Sequence, residues 1–282
     1  MKPNRAFRQV DVFTATPYRG NALAVVMDGD GLADEEMQRF ARWTNLSETT
    51  FLLPPRSGLA DYRVRIFTPG GELPFAGHPT LGSAHCWLEG GGVPKSSEFI
   101  VQECEVGLVR LRRDGTRLAF AAPSLRSTES NAEVVAQLAA ALGIQTAQVL
   151  AARVLDNGPV WFGLLLDSPA TVLGLTPDDG ELKRLGYKVG VAALYPAAAD
   201  GPQLEVRAFA APIGVPEDPV TGSLNASLAQ WLIEAGRLPA RYLAAQGACL
   251  ERAGRIHIQR DPQGQVWVGG DSVTCISGAV EL

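Results

Sequence analysis

The sequence predicts an α+β fold of two pseudo-symmetric lobes, each a curved, mainly antiparallel sheet wrapped around a central helix. Three observations predict it. First, Arg65–Leu88, RIFTPGGELPFAGHPTLGSAHCWL, reads as a strand, a Gly/Pro-rich loop and a helix of small residues, and Arg207–Leu232, RAFAAPIGVPEDPVTGSLNASLAQWL, reads the same way. Second, the two copies share a register. Pro54 and Pro196, Val64 and Val206, Phe67 and Phe209, and Ala76 and Asp218 all lie 142 positions apart, and Trp87 aligns with Trp231 after a small insertion. Self-similarity at one domain length signals duplicated architecture. Third, Leu81–Leu88 and Leu224–Ile233 are apolar or small almost all round. A helix without a solvent face has to be enclosed. The boundaries read as 1–125 for the first lobe, with the strand 272–282 returning to it, and 126–271 for the second.

The elements follow in order. Phe7–Phe13 alternates as a strand, Pro17–Asn21 is a turn, and Ala22–Met27 is an apolar run typical of a strand buried on both faces. Asp34 reads as the N-cap of a helix that lies outside the sheet, with Glu35 and Glu36 in its first turn. Leu46–Leu53 and Tyr62–Thr68 are strands. The helix after them starts near Thr80 and ends at Gly90-Gly91-Gly92. Glu98–Val101, Gly107–Arg112 and Arg117–Ala121 form a meander with Asp114-Gly115 as a hairpin turn. Asn131–Leu142 is a helix capped by Asn131. Trp161–Leu166 is an apolar strand, and Thr176-Pro177 opens a helix with Thr as N-cap. Val189–Tyr195, Leu204–Phe209 and Arg255–Arg260 complete the strands of the second lobe.

Composition limits the function. A net charge of −5 lacks the basic face that nucleic acid requires. No apolar run reaches the ~20 residues of a membrane span. The N-terminus has no signal-peptide core, so a cytoplasmic protein is expected. The cysteines at 86, 104, 249 and 275 are too scattered for a disulfide framework and read as buried small apolar residues. His78, His85 and Cys86 lack further ligands at metal-binding spacing, so no metal is expected. There is no GxGxxG after a strand, no Walker A loop and no GxSxG, and nothing implies an organic cofactor.

Two lobes related by a pseudo-twofold would point both central helices into one cleft. Their amides near Gly77–Thr80 and Thr221–Ser223 would hold a carboxylate there. Glu48 stands alone in the uncharged stretch NLSETTFLL, and the common offset pairs it with Gly190. A carboxylate serving only the shared fold would recur in both lobes. One serving a single site need not, and burial would tune it for acid/base work. The alternative is a solvent-facing residue on a half-exposed strand. His78, at a helix start, is placed to hydrogen-bond an oxyanion or carry a proton, or else to brace its loop. Asp218, beside Thr221, Gly222 and Ser223, would orient an amine or hydroxyl, cap the helix, or both. His85 reads as a satisfied core residue and Glu72 as a loop-structuring carboxylate.

DVFTATPYRGNALAVV, NLSETTF, FTPGGELPFAGHPTLG and EDPVTGS, in this order, together resemble the PhzF-like phenazine-biosynthesis isomerase family, over essentially the whole chain. The resemblance implies the diaminopimelate epimerase fold and cofactor-independent proton transfer, the founding reaction being isomerisation of trans-2,3-dihydro-3-hydroxyanthranilate. It implies Glu48 as the acid/base, His78 and Asp218 as assisting groups, backbone amides of Gly77, Gly222 and Ser223 as the carboxylate cradle, and a homodimer. Related racemases carry a thiol at each helix entrance, where this chain is read to have Ala76 and Asp218. The family often continues EDPVTGS with Ala-His-Cys; here Leu224-Asn225-Ala226 follows, a change expected to border the pocket. The expectation is therefore an isomerase acting by Glu48 on a small carboxylated, cyclic metabolite. Two alternatives stand beside it: a non-catalytic small-molecule or protein-binding module on the same fold, and an amino-acid racemase without thiols.

Overall fold

The computed structural model describes residues 3–196 and 201–282. Two compact units emerge, Met1–Ala121 with Gly269–Leu282, and Ala122–Val268. In the first unit β1 (Asn4–Val12) and β2 (Asn21–Val26) precede α1 (Asp34–Thr44), followed by β3 (Glu48–Leu53), β4 (Tyr62–Phe67), the short β5 (Glu72–Leu73) and α2 (Gly77–Glu89). A meander of β6 (Phe99–Cys104), β7 (Gly107–Asp114) and β8 (Arg117–Ala121) closes this run. The second unit begins with β9 (Arg126–Glu129), α3 (Ala132–Ala141), β10 (Val149–Asp156) and β11 (Val160–Leu166). Then come α4 (Pro169–Leu173), α5 (Asp179–Leu185), β12 (Val189–Leu194), β13 (Leu204–Ala210), β14 (Val215–Asp218) and α6 (Gly222–Glu234). β15 (Arg241–Gln246), β16 (Gly254–Arg260) and β17 (Val266–Gly270) follow, and β18 (Ser272–Glu281) pairs with β1.

The pairing is duplicated. In the first unit β1 pairs antiparallel with β2, β2 parallel with β3, β3 antiparallel with β4, and β4 parallel with β6. In the second, β10 to β11, β11 to β12, β12 to β13 and β13 to β15 repeat the same senses. β9 lies against β10 as β18 lies against β1. The two central helices behave as their composition demands. α2 buries Gly77 through Ala84 and contacts β1, β2, β3, β6 and β8. α6 buries Leu224 through Ala229 and also Trp231 and Leu232. α1 lies on the outer face, where Met37, Phe40 and Ala41 meet Val26, Phe51 and Phe67.

One ion pair is duplicated too. Arg65 grips Glu72 at 2.7 and 2.6 Å and stacks 5.0 Å over Phe67. Arg207 grips Glu217 at 2.9 and 2.8 Å and stacks 5.0 Å over Phe209. Glu72 is thus a structural carboxylate of β5.

The register and the helix caps correct four sequence alignments. Thr49 pairs with Phe67 and Leu53 with Arg63, while Val189 pairs with Phe209 and Ala193 with Glu205. Because Phe67 matches Phe209, Thr49 matches Val189, and Glu48 matches Lys188 rather than Gly190. Pro54 therefore does not match Pro196; the β12–β13 connection carries two more residues than the β3–β4 connection. Gly190 has its own reason: a Cβ there would lie 2.2 Å from Leu224 Cδ1, so it is where α6 packs down on β12. Ile66 pairs with Leu73 and Ala208 with Asp218, so Asp218 matches Leu73, not Ala76. The helix entrances are the N-caps Ala76 and Thr221, neither of them a thiol. Counted from these caps, His78 matches Ser223 and Trp87 matches Leu232, not Trp231.

Several local expectations shift. Ala33, not Asp34, is the N-cap of α1; it has no side chain to cap the helix, and its own amide donates to Glu36 Oε2 at 3.3 Å. Asp178, not Thr176, caps α5, because its Oδ1 takes the Glu181 amide at 2.9 Å. α2 starts three residues before Thr80. Cys249 is exposed and Cys275 half-buried, whereas Cys86 and Cys104 are buried.

Candidate active site

In the first unit the chain is steered to the site by two backbone devices. Asn45, at φ 55, ends α1 in the left-handed conformation and turns the chain into β3, whose first residue is Glu48. Gly20 precedes β2; its amide bonds Asp11 Oδ2 at 3.2 Å, and a Cβ there would sit 2.3 Å from the Val12 carbonyl oxygen. Asn21 follows and opens β2. Since Leu23 lies opposite Glu48 in the parallel β2–β3 pair, the start of β2 is held beside Glu48.

These elements bring Glu48 and His78 together. Glu48 Oε2 lies 3.4 Å from His78 Nε2, with side chains only 15% and 5% exposed. The imidazole is the second residue of α2. Burial pushes its pKa down to about 3 against the weaker pull of the Ala22 backbone carbonyl, so the ring is neutral at physiological pH. The pair is therefore a neutral ring facing a carboxyl group, not an ion pair. Asn21 Nδ2 lies 3.3 Å from His78 Nδ1, and the Ala22 backbone carbonyl also meets the ring, so Asn21 and the start of β2 hold the imidazole beside Glu48. Ser47 Oγ donates to Asn21 Oδ1 at 3.4 Å, linking Ser47 through Asn21 to the His78 ring. Sequence reading missed Asn21, because Gly-Asn is ordinary turn chemistry; its 1% exposure is what marks it out.

At α2 the amides of Gly77 and His78 receive no side-chain cap, and Pro79 has none to offer. Thr80 bonds Ala76 within the helix, so the donors reduce from the expected Gly77–Thr80 to two.

In the second unit Asp218 ends β14 and accepts from Thr221 Oγ1 at 2.5 Å. Gln246 locks the turn between them: Oε1 takes the Thr221 amide at 3.0 Å, and Nε2 donates to the Asp218 carbonyl at 3.0 Å and to Thr221 Oγ1 at 2.9 Å. Thr221 is thus spent as a donor, which leaves Gly222 and Ser223 as the uncapped amides of α6. Ser223 Oγ accepts from Trp161 Nε1 at 3.1 Å, so its own proton points elsewhere. Lys188, where the first unit has Glu48, sits 5.0 Å over the Trp161 ring. Asn225 is fully buried and donates to Gln246 Oε1 and the Thr221 carbonyl, both at 2.9 Å, which braces the loop, while its Oδ1 accepts no hydrogen bond.

His85 accepts its expected satisfied role, with Nε2 2.9 Å from Thr274 Oγ1 and 3.4 Å from Glu89. Among the described residues no group of three or more His, Cys, Asp or Glu is placed to hold a metal ion. No described helix is long and apolar enough to cross a membrane.

The phenazine biosynthesis-like protein family model matches residues 10–278. This chain belongs to the PhzF family. It is 37% identical to antisense-enhancing sequence 1 of Schizosaccharomyces pombe, over 97% of each chain. It is 33% identical to the trans-2,3-dihydro-3-hydroxyanthranilate isomerase of Pseudomonas aeruginosa, over 97% of this chain and 98% of that one. The crystal structure of a Bacillus anthracis PhzF-family protein superposes with a TM-score of 0.86 at 22% identity, covering 99% of this chain and 100% of that chain. The fold is thus that of the PhzF family, and the chain is an isomerase of that family.

The His78 geometry carries a pH signature. In an unfolded chain the imidazole binds its proton near 6.5; in the folded unit it does not until about 3. Between those values the unfolded state holds the extra proton, so the stability due to neutral His78 is complete above about 6.5 and is lost as pH falls towards 3. Thermal melts of wild type and His78→Gln across pH 7 to 4 should show a shallower acid loss in the variant. Equal slopes contradict the assignment.

Proposed function

We propose that this PhzF-family isomerase moves a proton within a small carboxylated, cyclic metabolite without a cofactor, using Glu48 as the acid/base. The observation that carries this is the buried Glu48–His78 contact at the uncapped start of α2. Glu48 removes a proton from one ring carbon, the C–H electron pair enters the adjoining π-system, and the protonated carboxyl returns the proton to another carbon of the same ring. Neutral His78 lies 3.4 Å from the carboxyl group and holds its position in the buried pair. By the resemblance, the amides of Gly77 in the first unit and of Gly222 and Ser223 in the second are assigned to the substrate carboxylate, since backbone donors at helix starts suit an anion. Asp218 orients an amine or hydroxyl of the substrate.

The relative from Pseudomonas aeruginosa is named for trans-2,3-dihydro-3-hydroxyanthranilate, and we take a substrate of that class. By the same resemblance the chain works as a homodimer in the cytoplasm. The test is incubation of the purified chain with trans-2,3-dihydro-3-hydroxyanthranilate and no added cofactor, followed by absorbance and mass spectrometry. A product of unchanged mass supports the reading. A change of mass, or turnover only after a cofactor is added, overturns it.

A further inference from the structure

One buried acceptor in the second unit has no use in the reaction described above. Asn157 ends the β10 turn and is 6% exposed. Its Nδ2 donates to the Ser223 backbone carbonyl at 3.0 Å, which fixes the amide orientation, since a flipped amide would set two oxygens against each other. That leaves Oδ1, buried and accepting no hydrogen bond from the protein. A buried amide oxygen without a donor is costly, so one held at a helix start calls for a partner from outside the fold. The carboxamide is held against the first turn of α6, the turn whose Gly222 and Ser223 amides are uncapped and whose Ser223 hydroxyl has a proton to give. The turn therefore offers donors to an anion, and the Asn157 carboxamide packed against it adds an acceptor to the Asp218 carboxylate that precedes α6.

We infer that Asn157 is a substrate-recognition residue: its Oδ1 accepts a hydrogen bond from an N–H or O–H adjacent to the carboxylate held at the α6 start. The ligand class is then narrower than a carboxylate. It is an acid with a neighbouring amine or hydroxyl, the acid meeting the amides and the neighbour meeting Asn157. In the first unit, where His78 stands at the matching position of α2, Asn21 lies against the ring instead, its Nδ2 3.3 Å from Nδ1. The inference rests on the reading that the α6 amides receive the carboxylate.

Calorimetric titration with 2-aminobenzoate and 2-methylbenzoate tests it, because the two probes match in size and differ in the donor. Wild type should bind 2-aminobenzoate about tenfold more tightly, a typical gain for one buried hydrogen bond. Asn157→Ala should bring the ratio close to one while leaving 2-methylbenzoate affinity in place. A ratio that survives the substitution, a ratio near one in wild type, or equal loss of both probes overturns the assignment. The wild-type ratio needs no variant to fold, and Asn157→Ser, too short to reach the donor, gives a second route to the same loss. Failure of both probes to bind wild type overturns the carboxylate reading itself, whereas binding without discrimination overturns only the role of Asn157.

Discussion

Glu48→Gln is expected to lower kcat by about 10³-fold while leaving the binding of an unreactive carboxylate within a few-fold of wild type. Proton transfer by a positioned side chain contributes about 10²–10⁴-fold. Gln keeps the shape of the side chain, so the 3.4 Å approach to His78 survives and only the exchangeable carboxyl is lost. Glu48→Asp should fall between the two, because the shorter side chain draws the carboxyl away from both His78 and the substrate. A variant that lost binding and turnover together would point instead to a structural carboxylate at the head of β3. The distinction is sharp because the matching residue of the second unit is Lys188, so the shared fold does not require an acid there.

Arg207→Ala is expected to be the most destabilising single change described here, by about 3–5 kcal/mol, the usual cost of removing one partner from a buried ion pair. Arg207 is 5% exposed. Beyond the fork on Glu217, Nη1 donates to the carbonyls of Val172 and Leu175 at 3.2 and 3.1 Å, which satisfies the end of α4. Removing the guanidinium strands Glu217 and both carbonyls. The melting temperature should fall by roughly 10 °C or more. Arg207→Lys should recover little, because an ammonium cannot reproduce the fork. The duplicated residue is an internal control: Arg65 makes the same fork, but its second partner, Asp34, is largely exposed, so Arg65→Ala should cost far less. Equal losses at the two positions contradict this account of burial.

The duplication was legible because each lobe carries one strand–loop–helix core with apolar residues in register, and the enclosed helices were legible because neither has a polar face. The register was not fully legible. A single offset of 142 serves Phe67 and Phe209, but insertions on either side change it, and only hydrogen-bond pairing shows that Glu48 matches Lys188 and that Asp218 belongs to β14 rather than the helix entrance. α4 escaped notice because five residues opening with Pro169 show no helical period; the Ser168 cap on Thr171 becomes visible only in three dimensions. Among the candidate residues, Glu48, His78 and Gly77 of the first unit and Gly222 and Ser223 of the second stood out as chemistry-bearing types at helix or strand starts. Asn21 and Asn157 did not, because each sits beside a glycine and reads as turn. Their burial, which the sequence does not state, is what separates a turn asparagine from one that holds a ring or a ligand.

The central claim is that Glu48 carries the transferred proton. A carboxyl group exchanges with solvent, so turnover of trans-2,3-dihydro-3-hydroxyanthranilate in D₂O should place deuterium at the carbon that receives the proton, as read by NMR of the product. Glu48→Gln should abolish that incorporation. Incorporation at the wild-type rate in Glu48→Gln contradicts the account.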